Sequence, residues 1–328
     1  MKHLLLLVLL FVGCTSTSIV QEKSCGSYCR ENCDSKFYMD DTHFVKVHTS
    51  HTSVDACVSK LVIVVHGMAR NGPKYFERMT RIVDFEKLGS SVMVIALDYK
   101  TLTDSPEKNE LYWGSSGWKI GNNSQNEDVK YSSFDVIDKI IEKYHYSIED
   151  IVVVGHSAGG QFVNRYAFSS KEKNARFVVT NPSSYIYLDQ HRVLDGQVVH
   201  PIIREKGVLS LKKGIDGDCP RSYNDYRYGV EEGNYYLLQT NVNTLIKNYL
   251  KKDVVYLLGD QDTEEEWLDV YCGAKVQGKH RFERGNNYYL YLNKIFPRNR
   301  HKKEVVPGVG HSSWYMFKSD VGKKVILE

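Results

Sequence analysis

The chain reads as an α/β protein, with a mostly parallel central sheet, helices on both faces and an inserted lid. Three observations predict this. Short apolar, β-branched runs at 61–65, 92–97, 151–154, 176–180, 254–258 and 303–306 alternate with helical patterns such as 73–88, 133–145 and 157–169. Strands separated by helices in this way pair in parallel and are covered on both sides. Gly155-His156-Ser157-Ala158-Gly159 lies between the run 151–154 and a helical stretch, where a buried strand must turn sharply into a helix. Residues 183 to 252 form a connection far longer than the ~2–6 residues usual between such elements, so they read as the lid.

The N-terminus sets the compartment. Met1-Lys2-His3 precedes an apolar core from Leu4 to Val12, shorter than the ~20 residues that span a bilayer. Residues 1–16 therefore read as a signal peptide. Phe11-Val12-Gly13-Cys14 also resembles a bacterial lipobox, with phenylalanine where leucine is usual, and in that alternative Cys14 is the lipidated first residue. A secreted protein is expected, with membrane contact only through an anchor at Cys14. A cysteine-rich segment, 17–57, then leads into a catalytic domain at 58–328.

Setting Cys14 aside leaves Cys25, Cys29, Cys33, Cys57, Cys219 and Cys272, an even number that predicts up to three disulfides in an exported chain. A Cys219–Cys272 bridge is expected to tie the insert to the catalytic body, the other four pairing among themselves. No histidine stands at finger-like spacing from Cys25, Cys29 and Cys33, so no metal site is predicted. At 328 residues and 42% hydrophobic content the chain can bury one large core. A net charge of +3 with scattered lysines gives no basic stripe for nucleic acid. Asn122-Asn123-Ser124 is a glycosylation sequon, relevant only on a eukaryotic secretory route.

The elements bring chemistry with them in order. The run 61–65 ends in His66-Gly67-Met68-Ala69-Arg70-Asn71-Gly72, a loop in which the Met68 N–H can face a developing oxyanion and His66 can shape the turn. Asp98, after the run 92–97, is a further candidate for an orienting acid, though it precedes the serine in the chain. Trp113 and Trp118, in a glycine-rich segment, and Tyr185, among the insert's tyrosines, are candidate walls for a substrate. At the elbow, Ser157 is the candidate nucleophile and the Ala158 N–H the second oxyanion donor. Gly259-Asp260-Gln261-Asp262 leaves the run 254–258 where an orienting acid is needed, ahead of the acidic run Glu264-Glu265-Glu266. Pro307-Gly308-Val309-Gly310-His311 then delivers a histidine base after the last strand. A serine hydroxyl is a weak nucleophile at neutral pH, so it needs that base and an acid to orient it. Asp260 and Asp262 are both in position for the second role.

These segments, with Tyr75-Phe76, resemble the α/β-hydrolase superfamily over roughly residues 58 to 320, and within it secreted esterases of the polyhydroxyalkanoate-depolymerase-like kind. The chain order serine, aspartate, histidine is the one that superfamily uses. The resemblance implies Asp262 as the triad acid, with Ser157 and His311. It implies hydrolysis of a small or polymeric carboxylic ester through an acyl-enzyme, with no cofactor and no metal. A peptidase or amidase on the same triad is the alternative reading, and a binding protein that keeps the fold without turnover is a third.

Overall fold

A computed structural model describes residues 28–30, 33–200, 202–203, 208–210 and 219–328. The leader, Cys14, Cys25 and the Cys219 side chain lie outside this described part.

The chain opens with an antiparallel pair, β1 (Asp34–Tyr38) and β2 (Phe44–Thr49). β3 (Lys60–Val65), α1 (Gly72–Phe85) and β4 (Val92–Leu97) follow. Next come α2 (Ser133–Tyr144), β5 (Asp150–His156), α3 (Ala158–Ser169) and β6 (Arg176–Thr180). The insert holds the hairpin β7 (Arg192–Leu194) and β8 (Gln197–Val199), and a small sheet of β9 (Ile202–Ile203), β10 (Val208–Ser210) and β11 (Cys219–Pro220). It closes with α4 (Tyr235–Leu238) and α5 (Val242–Tyr249). The chain then returns through β12 (Asp253–Gly259), α6 (Cys272–Lys275), α7 (Arg281–Ile295), β13 (Lys302–Val306), α8 (Ser313–Lys318) and α9 (Asp320–Leu327).

Eight of these strands form one sheet in the order β1-β2-β4-β3-β5-β6-β12-β13, antiparallel only where β1 and β2 join. The alternation along β3 explains the layering. Leu61, Ile63 and Val65 enter one core, Val62 and Val64 the other, and all five are fully buried. Strands apolar on both faces must be covered on both. Tyr75, Phe76 and Met79 of α1, with Met316, Phe317 and Ile326 of α8 and α9, cover one side; Ile137, Phe162, Tyr166 and Leu292 from α2, α3 and α7 cover the other. Each such side chain contributes about 1.5–3 kcal/mol on burial.

Two features depart from the sequence reading. β1 and β2, placed by sequence in the cysteine-rich segment, extend the main sheet through the β2–β4 pairing, so residue 57 is no boundary of the sheet. The described part of the insert also packs beside the body and does not line the cavity at Ser157. Tyr185 stacks on Tyr288 of α7 at 4.7 Å, Tyr187 meets Tyr291 at 4.6 Å, and Asn164 of α3 donates to the Tyr249 hydroxyl at 2.9 Å. Tyr185, Tyr187 and Tyr249 thus find buried partners on α3 and α7.

Cys29 and Cys33 form a disulfide. Cys57 and Cys272 are each disulfide-bonded as well. The expected Cys219–Cys272 pairing rests on a side chain outside the described part. Among the described residues no helix is long and apolar enough to cross a membrane.

Candidate active site

Parallel strands bring the ends of β3, β5, β12 and β13 to one edge of the sheet, where open α/β sheets carry their sites. Ser157 stands between β5 and α3 at φ 61° and ψ −118°, a backbone conformation costly for a residue with a side chain. Close packing enforces it. A Cβ on Gly155 would lie 2.3 Å from the Gly159 carbonyl oxygen, and one on Gly159 would lie 2.2 Å from that of Val65. Only glycine fits at either position, so the turn can be tight enough to present the serine. The Ser157 N–H is held by the Thr180 carbonyl at 3.0 Å.

Three side chains from three loops meet there. His311 Nε2 lies 2.9 Å from Ser157 Oγ, and His311 Nδ1 lies 2.7 Å from Asp262 Oδ2. Asp262 is fully buried, whereas the His311 side chain is 26% exposed, so the acid is fixed while the base reaches the open cavity. The rival acids are occupied elsewhere. Asp260 accepts from the Gly308 N–H at 2.7 Å and thereby braces the loop that carries His311. Asp98 pairs with Lys100 at 2.7 Å.

One supporting residue carried no sequence signal. Arg281, at the start of α7 and 1% exposed, approaches Asp262 Oδ1 at 3.4 Å and donates to the carbonyls of Glu264 at 3.1 Å and Glu266 at 2.6 Å. It ties the acid to the loop that follows. Burial lowers the pKa of Arg281, and the Asp262 carboxylate opposes that shift. A solitary arginine nineteen positions after the acid matches no motif, and only the fold brings the two together.

The loop after β3, which carries the candidate oxyanion donor Met68, is built on His66. Its Nε2 accepts from the Tyr99 N–H at 3.1 Å, which leaves Nδ1 to donate to the Gly67 carbonyl at 2.9 Å. Burial holds this ring's pKa down to about 4, so it stays neutral and keeps both bonds at ordinary pH. The next residue, Met68, lines the same cavity as Ser157. Ala158 is the first residue of α3, so its N–H has no partner within the helix. His156 packs 4.5 Å from the ring of His311 and meets the Tyr75 hydroxyl at 3.2 Å. Its own burial first, and then the charge of His311, push its pKa well below the histidine range.

The candidate substrate walls are corrected by the structure. Trp113, Trp118 and Tyr185 are fully buried and none lines this cavity. Trp118 packs against His66 at 4.7 Å, Trp113 donates its indole N–H to the Tyr131 carbonyl at 3.2 Å, and Tyr185 sits between Tyr256 and Tyr288. They support the loops from beneath. The aromatic residue at the mouth is Trp267, 80% exposed, which the sequence reading passed over within an acidic loop. The cavity measures about 600 Å³ and, among the described residues, takes no lining from the insert. A larger cavity, about 750 Å³, lies against α2. Its His145 ring faces the backbone carbonyls of Ile141 and Glu142 and is not hydrogen-bonded to Ser169.

No protein-family model matches the chain, and no curated protein does. Solved structures do. A poly(aspartic acid) hydrolase from Sphingomonas sp. KT-1 superposes with a TM-score of 0.63 at 21% identity, over 90% of this chain and 98% of that one. A poly(3-hydroxybutyrate) depolymerase from Bordetella parapertussis gives a TM-score of 0.62 at 19% identity, over 89% of each chain. At such identities the likeness is one of architecture, and together with the sheet order and the elbow it assigns this chain the α/β-hydrolase fold.

Proposed function

We propose that the protein is an exported serine hydrolase that cleaves carboxylic esters through an acyl-enzyme. The hydrogen-bonded line from buried Asp262 through His311 to Ser157 carries this reading. Asp262 accepts the Nδ1 proton of His311, which leaves the Nε2 lone pair facing the serine hydroxyl. Ser157 Oγ attacks the ester carbonyl as His311 takes its proton, and the resulting oxyanion is met by the N–H groups of Met68 and Ala158. One such donor is typically worth about 2.7–4 kcal/mol in the transition state. Collapse expels the alcohol, which receives the proton from His311. Water then repeats the sequence on the acyl-enzyme and releases the acid. The disulfides support an oxidising, exported setting. The two similar structures, of a poly(aspartic acid) hydrolase and a poly(3-hydroxybutyrate) depolymerase, are in keeping with hydrolysis.

Comparing matched p-nitrophenyl esters and p-nitroanilides tests the bond class. Turnover of the esters well above that of the anilides is expected, and the reverse order overturns the ester assignment in favour of an amidase.

The pH profile is a second expected outcome. The base must be deprotonated to accept a proton, so kcat/KM should rise with pH across the imidazole range, about pH 6 to 8. His156 is held neutral by burial and adds no proton to that limb, which should have the slope of one proton. A slope of two, or a limb near pH ~4 where carboxylates titrate, contradicts this assignment.

A further inference from the structure

The cavity at Ser157 is lopsided in charge. Arg70, Lys74 and Arg78 line it, and among the described residues no aspartate or glutamate does. Arg70 is already neutralised, because Asp104 takes its Nε at 2.8 Å and a terminal nitrogen at 3.0 Å. Glu266, next to Trp267 in the chain, accepts that residue's indole N–H at 2.9 Å and does not line the cavity. Lys74 and Arg78 are different. They stand four residues apart on α1, on one face, where like charges repel. Glu77, which could have offset them, reaches Arg81 at 3.5 Å.

Arg78 donates to the Ser313 hydroxyl, a neutral acceptor two residues past His311, and lies 5.8 Å from the centre of the Tyr75 ring. Among the described residues neither Lys74 nor Arg78 meets a carboxylate. Two cations are thus left uncompensated beside the nucleophile, one of them a half-buried guanidinium whose planar fork suits a carboxylate. A cleft lined by one sign of charge concentrates substrates of the other.

We propose, on the hydrolase reading above, that this site prefers esters bearing a carboxylate a few bonds from the scissile carbonyl. Lys74 and Arg78 receive that carboxylate while Ser157 attacks.

The test compares mono-p-nitrophenyl adipate with p-nitrophenyl hexanoate, which carries a methyl in place of the carboxylate. Ser157→Ala supplies the background. At low ionic strength kcat/KM for the adipate should exceed that for the hexanoate by on the order of tenfold. The ratio should fall several-fold when the Debye length is cut to about 4–5 Å with ~0.5 M salt, and it should fall in Arg78→Gln and in Lys74→Gln. Labelling of each variant at Ser157 by a fluorophosphonate confirms that its site is formed. A ratio of one or less with active hexanoate turnover overturns the charge preference and leaves the hydrolase reading intact. So does a ratio that both substitutions leave unchanged. Absence of turnover on both esters together with absence of labelling removes the hydrolase reading itself.

Discussion

Ser157→Ala and His311→Ala should each abolish nearly all ester turnover, by roughly 10⁴- to 10⁶-fold, and combining them should add little further loss. The reason is geometric. In the proposed mechanism the hydroxyl loses its proton across the 2.9 Å contact between His311 Nε2 and Ser157 Oγ, so removing either end removes the same step. The proposed oxyanion donors are backbone N–H groups that survive both substitutions, so a residual rate above that of water is expected. Steady-state kinetics of the two single variants and the double variant check this. A single variant that is folded yet keeps a tenth of the rate contradicts the assignment, as does simple multiplication of the two losses.

Asp262→Asn should cost about 10²- to 10⁴-fold in kcat, because an amide at the Oδ2 position permits the wrong tautomer of His311. Asp260→Asn should cost far less. Its carboxylate accepts from the Gly308 N–H and faces no imidazole, and asparagine retains an acceptor oxygen for that bond. Measuring both variants on one ester resolves the two acids. If Asp260→Asn proves the crippling change, the line from Asp262 to His311 is not the functional one. Arg281 sharpens the contrast, since its guanidinium lies on the Asp262 side chain and has no contact with Asp260.

Much of the fold was legible because β-branched runs and their periodicity report burial directly. The runs 92–97 and 176–180 coincide with β4 and β6, and the other four predicted strands differ only by a residue or two at their ends. β1 and β2 were missed because lysines interrupt their apolar pattern and they read as parts of a cysteine-rich segment. Lys36 and Lys46 lie in the middle of the two strands, so the alternation is weak.

At the site, the loops after β3, β5, β12 and β13 were visible from the glycines that make them turn. What surrounds them was not. Trp113 and Trp118 looked like exposed platforms because they sit among glycines, yet His66, Tyr99 and Phe162 enclose Trp118 from other parts of the chain. Arg281 supports Asp262 from a helix nineteen residues on, and Lys74 and Arg78 face the cavity only because α1 presents that side to it. Such long-range juxtapositions leave no local pattern. They are set by tertiary packing.

The most direct test is reaction of the native protein with a fluorophosphonate followed by mapping of the labelled peptide. The label should sit on Ser157 alone, appear faster as pH rises through the imidazole range, and be lost in Ser157→Ala together with ester hydrolysis. Ester hydrolysis that persists in Ser157→Ala, or a label on any other residue of the active protein, would contradict the account.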